Sequence, residues 1–137
     1  MSEPFRVAIT TDADVVTARQ RARSMGGELG FTSTDLTLLA TAISEVARNI
    51  TAYAGEGEVV LRVVRGINGR EGIEVIAQDE GPGIANVELA LQDGYTTGNG
   101  LGLGLPGARR LVDEFDLQTA PGQGTTVRLV KWGRGGA

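Results

Sequence analysis

The stretch Asp79-Glu80-Gly81-Pro82-Gly83 comes just after an apolar run rich in β-branched residues, 73–77, which predicts a buried strand. A carboxylate at the end of such a strand could accept a hydrogen bond from an exocyclic amine of a ligand. The glycines would leave room for that ligand because they carry no Cβ. Taken alone, however, the pattern is more often a strand that ends in a turn. Its interpretation therefore depends on the motifs on either side of it.

Composition limits the classes of function that the chain can have. Its 137 residues are enough for one domain, 1–137, around one hydrophobic core. The absence of cysteine and histidine excludes disulfides, thiolate metal sites and an imidazole base. A net charge of -4 argues against a nucleic-acid surface. Apolar runs end well before the roughly 20 residues of a membrane span, and no export signal is visible at the amino terminus. We therefore expect a soluble cytoplasmic protein whose partner is a protein or a small ligand.

The order of elements predicts helices stacked on one face of a mixed β-sheet. Hydrophobic periodicity and turn residues set the boundaries, with Asp12 as a cap for the first helix. Thr32 or Thr34 can cap the second helix, and Asp35 is placed to complete a capping box that begins at Thr32. Residues 87–91 form a short amphipathic stretch, and the tail from 133 is expected to fray. The predicted strands are 5–10, 59–65, 73–77, 116–119 and 125–131, and the predicted helices are 13–29, 32–54 and 105–115.

Glu45 and Asn49 lie four residues apart on the second predicted helix, so they are neighbours on one helical face. They fall outside the apolar stripe that the same helix would bury. A carboxylate and an amide oxygen in this arrangement could hold a magnesium ion or orient a nucleophile. On its own, the pair is more commonly part of an exposed polar face.

A glycine-rich loop precedes the third predicted helix, in the sequence Gly100-Leu101-Gly102-Leu103-Gly104-Leu105-Pro106-Gly107. Alternating glycines let backbone amides face a ligand, and the start of a helix favours an anion such as phosphate. A flexible connector explains the loop equally well. Residues 102–107 also fit the dinucleotide pattern G-x-G-x-x-G, but no convincing strand precedes them, and a Walker loop is absent.

These motifs occur in the order and spacing of one known family. The chain resembles the GHKL ATP-binding family over nearly its whole length: Glu45 to Asn49 is similar to its N box and Asp79 to Gly83 to its G1 box. Residues 100–104 are similar to its G2 box, and Gly122-Gln123-Gly124-Thr125-Thr126 to its closing glycine-threonine motif. The resemblance implies an α+β fold, a two-layer α/β sandwich of the Bergerat type with helices on one face of a mixed sheet. It also implies ATP and Mg2+ as cofactors.

Within this family, the nearly bare ATP-binding domain resembles the small serine/threonine-protein kinases of bacterial partner-switching systems. Residues 45–50, 93–97 and 104–115 are most similar to stressosome switch kinases of the RsbT type. The resemblance implies phosphoryl transfer to STAS-domain antagonist or scaffold proteins (RsbS/RsbR-like) and, after release, activation of a PP2C-type phosphatase (RsbU-like). One alternative is an anti-sigma-factor kinase of the RsbW or SpoIIAB type that sequesters a sigma factor. Another is a non-catalytic module that uses ATP only to shape its surface.

The resemblance also implies roles for individual residues. Asp79 would accept the adenine amino group, Gly81 and Gly83 would form part of the adenine pocket, and Thr125 would support it. Asn49 would bind magnesium between the phosphates, and Glu45 would act as the base on the incoming hydroxyl group. The residues implied to wrap the phosphates are Gly100, Leu101, Gly102, Leu103 and Gly104.

The phosphate loop contains no basic side chain, because no lysine or arginine occurs between Arg70 and Arg109. Magnesium, backbone amides and Arg109 or Arg110 would then have to balance the charge of the triphosphate. The two arginines could equally belong to a solvated helix face. The sequence therefore predicts that nucleotide binding depends strictly on a metal ion.

Overall fold

Helices pack on one face of a five-stranded sheet in the part of the chain that this computed structural model describes, residues 3–84 and 104–133. The predicted stretch 87–91, loop residues 93–103 and tail residues 134–137 lie outside the described residues. In chain order the elements are β1 (Phe5–Ile9), α1 (Asp12–Glu28), α2 (Ser33–Tyr53), β2 (Gly57–Arg65), β3 (Glu71–Asp79), α3 (Gly104–Leu111), β4 (Glu114–Thr119) and β5 (Thr125–Trp132).

The strand order β1-β2-β3-β5-β4 confirms the α+β class and corrects one detail of it. We expected a mixed sheet, yet every strand pairing among the described residues is antiparallel. Strand β4 takes the edge of the sheet and β5 turns back between β4 and β3. Strands β3 and β4 run in the same direction but are separated by β5, so no parallel ladder forms.

Helix α2 supplies much of the buried surface between the two layers. It begins after Thr32, whose Oγ1 accepts a hydrogen bond from the backbone N–H of Asp35 at 3.1 Å, as predicted for the cap. The buried carboxylate of Asp35 lies 3.8 Å from Nζ of Lys131, which ties the start of α2 to the end of β5. Five of the apolar side chains that the helical period predicted to be buried on α2 are fully buried: Leu39, Ile43, Val46, Ala47 and Ile50. Ala42, outside that stripe, is fully buried as well.

Helix α1 starts with a different cap from the predicted one. Asp12 is its first helical residue, and the extended Thr11 occupies the N-cap position. The carboxylate of Asp14 accepts hydrogen bonds from the backbone N–H groups of Thr10 at 2.9 Å and Thr11 at 3.0 Å. These bonds, that of Thr10 foremost, hold the pKa of the Asp14 carboxyl below its usual range. The acid that stabilises this helix start is therefore the third residue of the helix, because only there can its side chain reach back.

Helix α3 ends at Leu111, four residues before the predicted end at 115. Asp113 stops it: its backbone N–H donates to the Val130 carbonyl at 2.9 Å, and its carboxylate accepts from the Trp132 backbone N–H at 2.7 Å. Phe115 is consequently part of β4. Pairing with β5 outweighs the helical pattern of the preceding residues.

The sheet face opposite the helices carries a charged cluster. Glu74 is 4% exposed, and its two oxygens accept from Arg62 and Arg128, each at 2.7 Å. The hydrogen bond to Glu74 raises the pKa of Arg128. None of the helices in the described ranges is long and apolar enough to cross a membrane.

Candidate functional site

Asp79 is the last residue of β3, in the interior of the sheet. In the register it stands between Gly57 of β2 and Thr125 of β5. Its side chain is 9% exposed, and Oδ1 accepts the backbone N–H of Gly81 at 2.9 Å. Within the part of the chain that the structure describes, Oδ2 accepts no hydrogen bond. A buried carboxylate with one oxygen held in place and the other available is suited to bind an amine donor.

Close packing around Asp79 requires residues without a Cβ. A Cβ on Gly81 would come within 2.6 Å of the Ala54 Cβ at the end of α2. Gly83 has φ of +75°, and a Cβ there would overlap the Ala120 carbonyl oxygen. These two glycines, which the sequence assigned to the adenine pocket, bring the loop after β3 against both α2 and the β4–β5 turn.

Thr119 joins that loop to the closing strands, and sequence reasoning missed it. Its Oγ1 accepts the Ile84 backbone N–H at 2.9 Å, donates to the Gly124 carbonyl at 2.9 Å and lies 3.0 Å from Oγ1 of Thr125. The Pro82 carbonyl accepts a further bond from the Gly122 backbone N–H at 2.7 Å. Thr125, predicted to support the pocket, is 5% exposed and contacts it through Thr119. No local signal marks Thr119, because its role depends on its pairing with Thr125 in the β4–β5 ladder.

Glu45 is buried on α2 at 7% exposure, where an exposed polar face was the alternative. Its Oε1 accepts the backbone N–H of Gly104, the first residue of α3, at 2.9 Å. Its Oε2 lies 3.4 Å from Nη1 of Arg48, one turn further along α2. The structure thus brings the carboxylate of the N-box motif to the start of the helix that follows the glycine loop.

Asn49 follows Glu45 by one helical turn and is half-buried. Its side chain makes no hydrogen bond to the described residues. Gly104 has φ of +66°, a conformation that favours glycine at this position. The other predicted phosphate-binding residues lie outside the described residues: Gly100, Leu101, Gly102 and Leu103.

The site residues around Asp79 and those around Gly104 contact α2 at two different places along its axis. Ala54, at the end of α2, contacts Gly81 beside Asp79. Glu45 lies about 13 Å before it along the helix axis, at about 1.5 Å per residue. Asn49 is between them. The arrangement can hold an elongated ligand with an amine-bearing group at Asp79 and a negatively charged group near Asn49 and Gly104.

ATP and magnesium both fit the residues present. Oδ2 of Asp79, which accepts no hydrogen bond from the described residues, is complementary to an amino group, and the amide oxygen of Asn49 has the chemistry of a magnesium ligand. No group of three or more acidic side chains that could hold a metal occurs in the described ranges. A magnesium site here would therefore rely on one protein ligand together with phosphate oxygens and water, a common arrangement for this ion.

Arg109 and Arg110 are exposed in the last turn of α3. Gly104, which contacts Glu45, is at the other end of this eight-residue helix. The rise of about 1.5 Å per residue puts the two arginines roughly 7 to 9 Å from that end along the axis. The cation in contact with Glu45 comes instead from α2, as Arg48.

Comparisons with known proteins identify the family of this chain. Residues 34–133 match the family described as histidine kinase-, DNA gyrase B- and HSP90-like ATPase. The chain is 45% identical to the serine/threonine-protein kinase RsbT of Bacillus subtilis, over 96% of this chain and 98% of that protein. It is 32% identical to the anti-sigma F factor of Caldanaerobacter subterraneus, over 84% and 82% of the two chains.

Two solved structures share the fold. One contains the RsbU and RsbW domains of a Mycobacterium tuberculosis protein, with a TM-score of 0.63 and 21% identity over 97% of this chain and 33% of that one. The other is the mycobacterial sensor histidine kinase MprB, with a TM-score of 0.53 and 22% identity over 98% and 99% of the two chains. With its motifs in order, its fold matched and its family model covering residues 34–133, the chain belongs to the histidine kinase-, DNA gyrase B- and HSP90-like (GHKL) ATPases.

Proposed function

We propose that this chain is the serine/threonine-protein kinase of a bacterial partner-switching pathway. It would transfer the γ-phosphate of ATP to a serine or threonine of a STAS-domain antagonist protein. The observation that carries the proposal is the hydrogen bond between Glu45 and Gly104, which holds a buried carboxylate at the start of α3. The 45% identity to a serine/threonine-protein kinase over almost the whole chain supports the same activity.

In this mechanism Asp79 binds the adenine amino group, and the close packing of Gly81 and Gly83 positions the ring. Backbone amides of the loop before Gly104 would hold the phosphates, because the Gly104 N–H itself donates to Glu45. Asn49 would hold a magnesium ion, which would supply positive charge to the phosphates. These contacts mainly position the reactants, which is the principal requirement of phosphoryl transfer.

Glu45 provides the base. The acceptor hydroxyl oxygen bonds to the γ-phosphorus, the bond from that phosphorus to the β–γ bridging oxygen breaks, and ADP leaves. The hydroxyl proton passes to the Glu45 carboxylate. Since the chain contains no histidine, a carboxylate is a chemically suitable base.

The proposed partners extend this activity into a switch. The chain would phosphorylate RsbS- or RsbR-like STAS proteins in the cytoplasm and, once released, activate an RsbU-like PP2C-type phosphatase. The second candidate is an anti-sigma-factor kinase that sequesters a sigma factor, favoured by the 32% identity to an anti-sigma F factor. The two candidates share the phosphoryl transfer step and differ in the protein that binds the kinase.

Labelled ATP, incubated with the chain and a STAS-domain antagonist protein, tests the proposal. We expect label on one serine or threonine of the STAS protein, and none when that residue is changed to alanine. A sigma factor should not be retained by the chain in a pull-down. Retention of a sigma factor would favour the second candidate, and absence of transfer to the STAS protein would contradict the first.

Removing the metal should abolish both binding and transfer, because the glycine loop brings no basic side chain. We expect ATP affinity to fall by at least roughly a hundredfold in excess chelator, the order expected when a few kcal/mol of charge stabilisation are lost. Titration of ATP with and without magnesium measures this. Appreciable affinity in chelator would show that protein groups alone neutralise the phosphates.

A further inference from the structure

Arg48 is the cation that the structure places against the candidate base. Its Nη1 lies 3.4 Å from Oε2 of Glu45, beyond the roughly 2.7 to 2.9 Å of a strong charge-assisted hydrogen bond. The Arg48 side chain is 52% exposed, whereas that of Glu45 is 7% exposed. A guanidinium has five N–H donors in a rigid fork, and this contact uses one of them weakly. Arg48 is therefore able to bind a second anion without leaving its place on α2.

The negative charge of a bound triphosphate would be stabilised by a protein cation at the phosphate end of the site. No lysine or arginine lies between Arg70 and Arg109 in the sequence, and Arg109 is in the last turn of α3, away from Gly104. Arg48 contacts the same carboxylate that accepts the Gly104 N–H. The Glu45 side chain therefore lies between Arg48 and the start of α3, where the proposed mechanism places the phosphates.

The present pairing of Arg48 also affects the chemistry of Glu45. Oε1 is held by Gly104 and Oε2 faces the guanidinium, so each oxygen of the proposed base already contacts a donor. A proton is accepted best by an oxygen that does not face a positive charge. The contact between Arg48 and Glu45 is long at 3.4 Å, while a terminal phosphate carries more charge and can bind the guanidinium fork through two oxygens.

We propose that Arg48 is a positioning residue that exchanges Glu45 for the γ-phosphate of ATP. The exchange frees Oε2 of Glu45 for the hydroxyl proton and adds a protein cation to the terminal phosphate. Base activation would then be coupled to the presence of the γ-phosphate, so the kinase distinguishes ATP from ADP. The assignment rests on the proposed function of Glu45 and Gly104, but its test can be read from nucleotide binding alone.

Binding of magnesium with a non-hydrolysable ATP analogue and with ADP tests the exchange in three variants. Arg48→Met keeps the alkyl stem and removes the charge, Arg48→Lys keeps the charge, and Arg65→Met is the matched control. Arg65 forms an ion pair with the carboxylate of Glu71 at 3.6 Å on the β2–β3 hairpin, away from the site.

Arg48→Met should bind the ATP analogue at least roughly tenfold more weakly and ADP within about twofold of the unchanged protein, because one charge-assisted contact to the γ-phosphate is lost. Arg48→Lys should recover part of the difference, and Arg65→Met should change neither affinity. Equal weakening for both nucleotides, or no change for either, would overturn the assignment. Loss of transfer with an unchanged ratio of ATP to ADP affinity would also overturn it, since Arg48 would then act on Glu45 alone.

Failure of the proposed function gives a different pattern. If Glu45 is not the base, the Glu45→Gln variant still transfers phosphate. The ratio of ATP to ADP affinity in Arg48→Met does not depend on that result. The two outcomes are measured independently, one by phosphoryl transfer and the other by binding.

Discussion

Replacing Glu45 by glutamine should lower the rate of phosphoryl transfer by roughly 10²- to 10⁴-fold, the usual contribution of a general base. Glutamine has the same shape, and its amide oxygen can still accept the Gly104 N–H that Oε1 accepts at 2.9 Å. What the substitution removes is the negative charge and the ability to take the hydroxyl proton. ATP binding should therefore persist, with the loss confined to kcat.

Single-turnover transfer to the STAS-domain acceptor, measured beside ATP affinity, separates these two effects. Glu58→Gln is a suitable control, because Glu58 lies on β2 in an exposed ion pair with Arg6. The control should transfer phosphate at the normal rate. Transfer by Glu45→Gln within about twofold of the unchanged protein would remove Glu45 from the mechanism, since even weak general-base catalysis exceeds that factor.

The candidate site motifs could be recognised in the sequence because they are local, whereas the strand pairing of the sheet could not. The turn after Asp79, the pair Glu45 and Asn49 and the glycines before Leu105 are each recognisable within a few residues. Their order along the chain indicated the family, which the comparisons support. The helical period of α2 likewise predicted most of its buried apolar side chains, but not the burial of Glu45.

What could not be predicted depends on contacts between distant segments. The position of β5 between β3 and β4 follows from how the β4–β5 hairpin docks, which hydrophobic alternation does not encode. The bond from Asp113 to Val130 that ends α3, and the contacts of Thr119 with Ile84 and Gly124, arise only after that docking. The ion pair between Arg48 and Glu45 was likewise not predicted from the sequence.

Replacing Asp79 by asparagine should weaken the binding of ATP and of ADP to the same extent, by roughly tenfold or more. The reason is that a hydrogen bond to a charged group contributes about 1.5 to 3 kcal/mol. Equal loss is expected because the adenine ring is common to both nucleotides. Asparagine can still accept the Gly81 N–H, so the turn after β3 should hold. The second atom of the amide, however, would present an N–H donor to the adenine amino group, which is also a donor.

ATP and ADP affinities, measured in Asp79→Asn and in a control variant, distinguish a lost adenine contact from other effects of the substitution. Glu80→Gln changes the exposed carboxylate next to Asp79 and should leave both affinities unchanged. Normal ATP affinity in Asp79→Asn would contradict the assignment of Asp79 to adenine. Loss of ATP binding with normal ADP binding would place Asp79 near the γ-phosphate instead.

The same substitution should also narrow the preference for ATP over GTP. Guanine carries the acceptor O6 where adenine carries its amino donor. The carboxylate of Asp79 repels that oxygen, whereas an asparagine amide can donate to it. Competition between the two nucleotides for Asp79→Asn therefore tests the chemistry of the contact and not only its strength. An unchanged preference, with weaker binding of both nucleotides, would mean that Asp79 stabilises the loop after β3 without contacting the base.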